Sequence, residues 1–356
     1  MNSEQGGNST EEKMKEHQQH KSLVASELGD LFANYIGDSL FCCVYEHHLE
    51  VVEDSEVKEF LTIALKNSKK HLESIKEIYS KENIPLPVGF GEQDIRRKVP
   101  RLFSDLFMVF YVTEMGREAL ITYGSALSTS FRQDVISHFE MCIKDSIEIY
   151  KQGQFLLLSK GMNISPAAIP YPKKVDFVEK ESFISAIAGK NRALTAMEIK
   201  QLQINLNTNT LGKSLMVAFS QIAESEELRK YFHEGSKLAE KQIIELSKTF
   251  QDDSLPSPKL MDAHITDSTI SPFSDKLLLF HTVLANGSAI QNYGLAVSTI
   301  LRHDIHLQFA GLTVGIAKYV NDGTKLMIKK GWLEEPPTSA DRDKLSKMSH
   351  GNQPVE

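Results

Sequence analysis

Residues 123–134 read YGSALSTSFRQD, and residues 293–304 read YGLAVSTILRHD. The two stretches share a Tyr-Gly pair, a Ser-Thr pair and an Arg-x-Asp sequence at one constant shift of 170 residues. Helical amphipathicity repeats apolar positions, but it does not require the same Gly, Ser, Arg and Asp in the same order. The recurrence therefore indicates an internal duplication, which decides the architecture.

The same shift, or one residue more, aligns the chain on itself from the first predicted helix to the last. The matched residues include glycines, prolines and Ser-Asp pairs, which a shared helical pattern alone does not impose. The matches are Glu27-Leu28 on Glu198-Ile199, Pro85 and Pro87 on Pro256 and Pro258, Phe103-Ser104-Asp105 on Phe273-Ser274-Asp275, and Lys160-Gly161 on Lys330-Gly331.

Each copy contains four segments in which apolar residues step by three and four, the spacing of a helix with one buried face. In the first copy these segments are about 24–49, 57–79, 102–120 and 132–158. In the second copy they are about 195–223, 226–250, 273–299 and 301–330. The sequence therefore predicts an all-α protein.

A long connection separates the second and third helices of each copy, over residues 83–100 and 251–272. Eighteen extended residues reach roughly 60 Å, whereas a helix of about 26 residues is roughly 39 Å long. The connection can therefore run the length of the helices and leave the second and third helices parallel neighbours. One such crossover is typical of ferritin-like bundles, so we predict two tandem ferritin-like four-helix bundles, each with a long crossover.

These patterns divide the chain into five parts. Both ends are polar and cannot bury a core, so we expect them to be disordered. The predicted parts are a tail over 1–20, a first bundle over 21–164, a Pro-containing linker over 165–193, a second bundle over 194–335 and a second tail over 336–356.

The composition is that of a globular protein, with 41% hydrophobic and 24% charged residues. With 40 Lys and Arg against 47 Asp and Glu, the net charge of -7 argues against a nucleic-acid partner. No apolar run approaches the ~18 residues that span a bilayer. Cys42, Cys43 and Cys142 are odd in number with two adjacent, which does not suit a disulfide framework. We therefore expect a reducing compartment, cytoplasmic or inside a spore.

Four stretches resemble the signature segments of a duplicated, ferritin-like family of unknown function from Bacillus and related spore formers. That family is itself distantly similar to the spore-coat protein F group. The resemblance implies the bundle fold, a spore-forming source and an association with spores, but it implies no activity or catalytic residues. The stretches are 83–90 (NIPLPVGF), 100–105 (PRLFSD), 266–276 (TDSTISPFSDK) and 330–337 (KGWLEEPP).

Ferritin-like bundles often hold two iron ions between Glu-x-x-His pairs on two helices and carboxylates on the others. No histidine of this chain has an acidic residue three positions before it, so we expect no cofactor. A less regular metal site remains an alternative in the first copy, because the second copy has Val217, Ala218, Gln221, Gln242 and Leu284 at the corresponding positions. Its candidate ligands are Glu46, His47, Glu50, His71 and Glu114.

Two pairs recur at the start of the fourth helix, Arg132 with Asp134 and Arg302 with Asp304. Each follows a Ser-Thr pair whose hydroxyls can cap the helix, and an Asp in the first turn complements the helix dipole. We therefore expect a structural motif rather than a catalytic one. Tyr123 and Tyr293 recur near the end of the third helix, where a buried hydroxyl needs a hydrogen-bond partner.

Two functions fit these observations. The favoured one is a non-enzymatic structural or interaction protein of a spore former, with protein partners or self-association, because the scaffold recurs while the candidate metal ligands do not. The alternative is a metal-binding or redox module in the first bundle.

Overall fold

In the computed structural model, residues 22–185, 192–258 and 260–347 are described. Within these ranges the regular structure is helical and contains no strand, which confirms an all-α protein with two repeated halves. The helices are α1 Ala25–Val51, α2 Ser55–Lys81, α3 Asp105–Ser128, α4 Gln133–Ser159, α5 Ala196–Ile222, α6 Glu226–Asp252, α7 Asp275–Thr299, α8 His303–Lys329 and the short α9 Arg342–Lys347. Three-residue 3₁₀ helices cover Glu92–Asp94, Glu181–Phe183 and Asp262–His264.

The repeated residues of the sequence begin and end the helices. The Ser104 hydroxyl accepts a hydrogen bond from the backbone N–H of Phe107 at the start of α3, and Ser274 does the same for Leu277 at the start of α7. Gly161 and Gly331 follow α4 and α8 with φ of 78° and 67°. This left-handed conformation favours glycine and stops a helix.

In the first half, α2 and α3 run in the same direction. Leu31 near the start of α1, Tyr79 near the end of α2, Ala126 near the end of α3 and Phe139 near the start of α4 share one apolar cluster. At the opposite end, Asp105 at the start of α3 accepts a hydrogen bond from Asp54 N in the turn between α1 and α2 (2.7 Å). The connection over 82–104 therefore runs the length of the helices.

The two halves make reciprocal contacts through these connections. The Ser274 hydroxyl donates to Asp94 Oδ1 (2.6 Å), and the Ser104 hydroxyl lies 2.8 Å from His264 Nδ1. Asp94 and His264 share one repeat position, and Ser104 and Ser274 share another. The halves therefore meet as the subunits of an isologous dimer do. The same reciprocity holds for two antiparallel backbone bridges, Ile95 with Phe273 and Phe103 with Ile265.

One apolar cluster continues across the contact between the halves. It contains Phe107 and Met108 from α3 together with Phe219 from α5 and Leu278 from α7, all buried. Burying a Phe side chain contributes roughly 1.5–3 kcal/mol. The duplicated chain thus forms one body around a shared core.

Several boundaries differ from the sequence prediction. The helix predicted from 301 begins at His303, because Arg302 is the extended residue before it (ψ 122°). The predicted tail 336–356 contains α9, in which Lys344 N donates to Asp341 Oδ1 (2.9 Å). The predicted tail 1–20, residues 348–356 and residues 186–191 of the predicted linker lie outside the described residues. Among the helices that the structure describes, none is long and apolar enough to cross a membrane.

Candidate functional site

A buried polar cluster lies in the core of the first half, and each of its four long helices contributes to it. His71 of α2 lies between two carboxylates, with Nδ1 3.2 Å from Asp38 Oδ2 of α1 and Nε2 3.1 Å from Asp145 Oδ2 of α4. The Tyr123 hydroxyl of α3 donates to the same oxygen of Asp38 (3.3 Å). Lys70 forms an ion pair with Asp145. A hydrogen-bonded chain therefore runs from the core to the surface.

The two carboxylates keep His71 protonated. Burial disfavours the imidazolium, but the charge of Asp38 and the hydrogen bonds to Asp145 and Asp38 outweigh burial and raise the His71 pKa to about 12. At Asp145, burial works against ionisation, but the hydrogen bonds from His71 and Lys70 dominate and lower its pKa. The cluster therefore holds the His71 imidazolium between two carboxylates inside the first half.

A second histidine next to this cluster is neutral. Burial, reinforced by the positive charge of His71, lowers the pKa of His138 to about 4. His138 Nε2 donates to Asn34 Oδ1 (2.8 Å), and Nδ1 lies 3.0 Å from the Ser74 hydroxyl. The Asn34 amide in turn donates to Asp38 (2.6 Å). The neutral side chains of His138 and Asn34 therefore orient the charged cluster of Asp38, His71 and Asp145 without adding charge to it.

The second half keeps this arrangement without its charges. Asn209 and Gln242 stand at the repeat positions of Asp38 and His71, and Tyr293 stands at that of Tyr123. Asn209 Nδ2 donates to the Tyr293 hydroxyl (2.8 Å), which donates to Gln242 Oε1 (3.0 Å). Both predicted tyrosines therefore have their hydroxyl partners. Sequence reasoning misses Asp38 and Asp145, although the alignment of Asp38 with Asn209 and of His71 with Gln242 was an available signal.

The structure does not bring the five candidate metal ligands together. Glu46 binds Lys69 (2.8 Å) and Arg97 (2.7 Å), and Glu50 binds the same guanidinium (2.9 Å). The remaining three are separate, because His71 lies between its aspartates, Glu114 pairs with Arg117 (2.9 Å), and the buried His47 packs edge-on against Phe273. Within the described ranges, no group of three or more His, Cys, Asp or Glu residues is arranged to hold a metal ion.

The recurring Arg and Asp residues are paired in both halves. Arg132 Nε donates to Asp134 Oδ1 (2.7 Å) and its Nη1 to Glu82 (2.6 Å), although the Arg132 side chain is almost fully buried. Arg302 Nη2 donates to Asp304 Oδ2 (2.6 Å). Each pair links the first turn of a helix to its preceding residue.

The Ser-Thr hydroxyls do not cap α4, contrary to the sequence prediction. The hydroxyls of Ser128 and Thr129 bond to carbonyl oxygens at the end of α3. Instead, Glu27 Oε1 accepts from the backbone N–H groups of Phe131 and Arg132 (2.8 and 2.7 Å), while its Oε2 accepts from Val24 N (2.9 Å). One glutamate therefore satisfies the starts of both α1 and α4.

Glu198 has the same function in the second half. Its Oε1 accepts from Arg302 N (3.0 Å), its Oε2 accepts from Thr195 N (2.8 Å), and Arg192 binds both oxygens. Burial opposes ionisation of Glu198, but the hydrogen bonds from Arg192 and from the backbone lower its pKa to about 2. The alignment of Glu27 with Glu198 was the sequence signal for this shared cap.

Comparison with known families bears directly on the duplication. A family model described as "Protein of unknown function (DUF3231)" matches residues 12–175 and, a second time, residues 182–345. The chain belongs to this family. The two matches confirm that the chain holds two DUF3231 repeats, and the predicted duplication is therefore correct.

A solved structure from Bacillus halodurans, described as a "putative spore coat protein", is similar to part of this DUF3231 chain. The identity is 18%, the TM-score is 0.38, and the match covers 45% of this chain and 99% of the other. A search of curated proteins gave no match.

Proposed function

We propose that this protein is a non-enzymatic interaction protein that self-associates through the outer face of α8. Each half would be a ferritin-like four-helix bundle, which the parallel α2 and α3 and the long connection between them support. The observation that carries the proposal is an exposed apolar stripe on α8, formed by Leu307, Ala310, Gly311 and Val314.

The stripe is unlike the corresponding face of the first half. Leu307 and Val314 are 75% and 72% exposed. At the same repeat positions α4 has Ser137, Glu140, Met141 and Lys144, and Glu140 pairs with Lys144 (2.8 Å). Because exposed apolar side chains are costly when they gather on one face, the stripe supports a contact that only the second half makes.

The arrangement of the stripe favours a second copy of this chain as the partner. The four positions are symmetric about the point between Ala310 and Gly311, so that two antiparallel copies of α8 would place Leu307 against the partner's Val314. The small residues at the centre allow the two helices to approach closely. An isologous contact of this kind closes on itself and gives a dimer.

The sequence also supports a proposed source and compartment. The resemblance to a family of spore formers supports a spore-associated protein. Cys42, Cys43 and Cys142 are buried and free of disulfides, which supports a reducing compartment, either cytoplasm or spore interior.

Sedimentation equilibrium of the full chain tests the proposal. We expect a dimer, and we expect Leu307→Glu and Val314→Glu to weaken it by at least about tenfold, as the loss of a central apolar contact does. Ser137→Glu, at the repeat position of Leu307, is the matched control and should leave the mass unchanged. A monomer at all concentrations, or equal weakening by Ser137→Glu, would disprove self-association through α8.

A further inference from the structure

A chamber of about 200 Å³ lies between the two halves. Its wall is formed by α1, α3 and one residue of α4 in the first half and by the four long helices of the second, with Leu215, Leu238 and Ile316 among its apolar residues. Thr122, also in the wall, is exposed, so the chamber reaches solvent there. An apolar cavity of about 150 Å³ can bind benzene, and this chamber therefore has room for a single-ring molecule.

Divergence between the repeats opens the chamber. Gly212 stands at the repeat position of Phe41, and Ala285 stands at that of Met115. All four residues line the wall, so the second half lacks two large side chains that the first half has. A Cβ atom added at Gly212 would meet no atom within 4 Å.

Three buried side chains of the wall each have one polar atom without a hydrogen-bond partner in the part of the chain that the structure describes. These atoms are Glu118 Oε2, Gln242 Nε2 and His281 Nδ1, on side chains of residues that are 7%, 2% and 2% exposed. The other end of each side chain is bound, to Asn292, Tyr293 and Tyr111 respectively. Because folded proteins leave few buried polar atoms unpaired, these atoms point to a ligand.

The charge of the wall restricts that ligand. Apart from Tyr123 and Tyr319, the ionisable residues that line the chamber are Asp30, Asp38, Glu114, Glu118 and His281, and no described lining residue is Lys or Arg. Arg117 lies behind the wall and binds both Glu114 and Glu118. Burial raises the pKa of Glu118, and the charge of Arg117 and the hydrogen bond from Asn292 oppose this rise. A ligand carboxylate would be repelled, whereas a hydrogen-bond donor would be attracted to Glu118 Oε2.

We propose that the chamber binds one compact apolar molecule whose polar end, a hydroxyl or an amine, donates a hydrogen bond to Glu118. The ring occupies the space left by Gly212 and Ala285. Gln242 Nε2 and His281 Nδ1 can each form a hydrogen bond with a further polar substituent of the ligand that reaches them. This binding site is independent of self-association through α8.

Isothermal titration calorimetry of the full chain with four one-ring probes tests the assignment. We expect benzyl alcohol or benzylamine to bind at one site per chain. The probe with the lower dissociation constant identifies the polar end as a hydroxyl or an amine. Toluene, which lacks the donor, should bind about threefold to tenfold more weakly. Benzoate should not bind. Equal affinity for toluene, or measurable binding of benzoate, would overturn the assigned polar end.

Two filling variants then test the location. Gly212→Phe and Ala285→Met each restore the residue that the first half has at the same position, and each should weaken binding by at least about tenfold, as loss of the bound ring's space requires. Circular dichroism checks that they fold. If no probe binds the parent protein, or if a folded filling variant binds as tightly as the parent, the proposal is wrong.

Discussion

Tyr111 and His281 occupy the same position of the two repeats and contact each other, with the tyrosine hydroxyl 3.0 Å from Nε2. Both are buried, at 1% and 2% exposure. Burial lowers the His281 pKa to about 4, so the tyrosine hydroxyl shares a hydrogen bond with a neutral imidazole. Residues that meet at an approximate two-fold axis would be identical in a symmetric dimer. Their divergence gives a hydrogen-bonded pair of unlike residues that two identical subunits could not form at this position.

We expect Tyr111→Phe to lower the free energy of unfolding by about 1–3 kcal/mol, because it leaves a buried imidazole nitrogen unpaired. Urea unfolding at pH 7.5 measures the change. Tyr79→Phe is the control, because the buried Tyr79 hydroxyl has no partner among the described residues. A loss no larger for Tyr111→Phe than for the control would show that the central contact contributes nothing.

The uncharged residues of the second half predict how the first half responds when its polar cluster is changed to match them. His71→Gln should cost about 3–5 kcal/mol, since it leaves Asp38 buried without its cation. The double variant Asp38→Asn with His71→Gln should recover most of that loss, because Asn209 and Gln242 are accommodated beside Tyr293. A double-mutant cycle in urea measures the coupling. Additive losses would contradict the equivalence of the two clusters.

Buried histidines predict that acid weakens the fold. Burial lowers the pKa of His47 to about 4, below its unfolded value of about 6.5. Between these values the unfolded chain binds more protons, so the free energy of unfolding falls by about 1.4 kcal/mol for each pH unit of acidification for each such group. His71 has a raised pKa and acts oppositely, its contribution being complete below pH 6.5 and lost as pH rises toward 12.

Replacing His47 tests this sign. His47→Leu should reduce the slope of unfolding free energy between pH 4.5 and 6 by about 1.4 kcal/mol per unit. The difference in unfolding free energy between His47→Leu and the parent at pH 7.5 is the reference, because His47 is neutral at that pH in both the folded and the unfolded protein. An unchanged acid slope would mean that His47 is protonated in the folded protein.

The recurring Arg and Asp pairs predict similar losses in both halves. Asp134→Ala and Asp304→Ala should each lower stability by about 0.5–2 kcal/mol, the range for a lost interaction at a helix start. Thermal melts give both values. If both melts matched that of the parent, the motif would not be structural.

The sequence predicts the duplication and the eight long helices because Gly, Ser and Asp positions recur and apolar residues follow the helical period. It does not predict the pairing of the halves, since Asp94 and Ser274 are distant in sequence and either residue also suits a solvated loop. The role of Glu27 at the starts of two helices is not predictable from sequence for a similar reason. An acid in a first turn satisfies its own helix, and only the approach of the start of α1 to the start of α4 in the fold lets the same carboxylate accept from a second helix start.

Disulfide crosslinking across α8 tests the central claim of self-association most directly. Ala310→Cys places a thiol beside the expected two-fold axis, and Glu140→Cys places one at the same repeat position of α4. The native cysteines are buried and should not interfere. We predict that mild oxidation converts Ala310→Cys to a covalent dimer at dilute concentration, whereas Glu140→Cys stays monomeric on a denaturing gel. Equal crosslinking of the two variants, or none in either, would contradict the account.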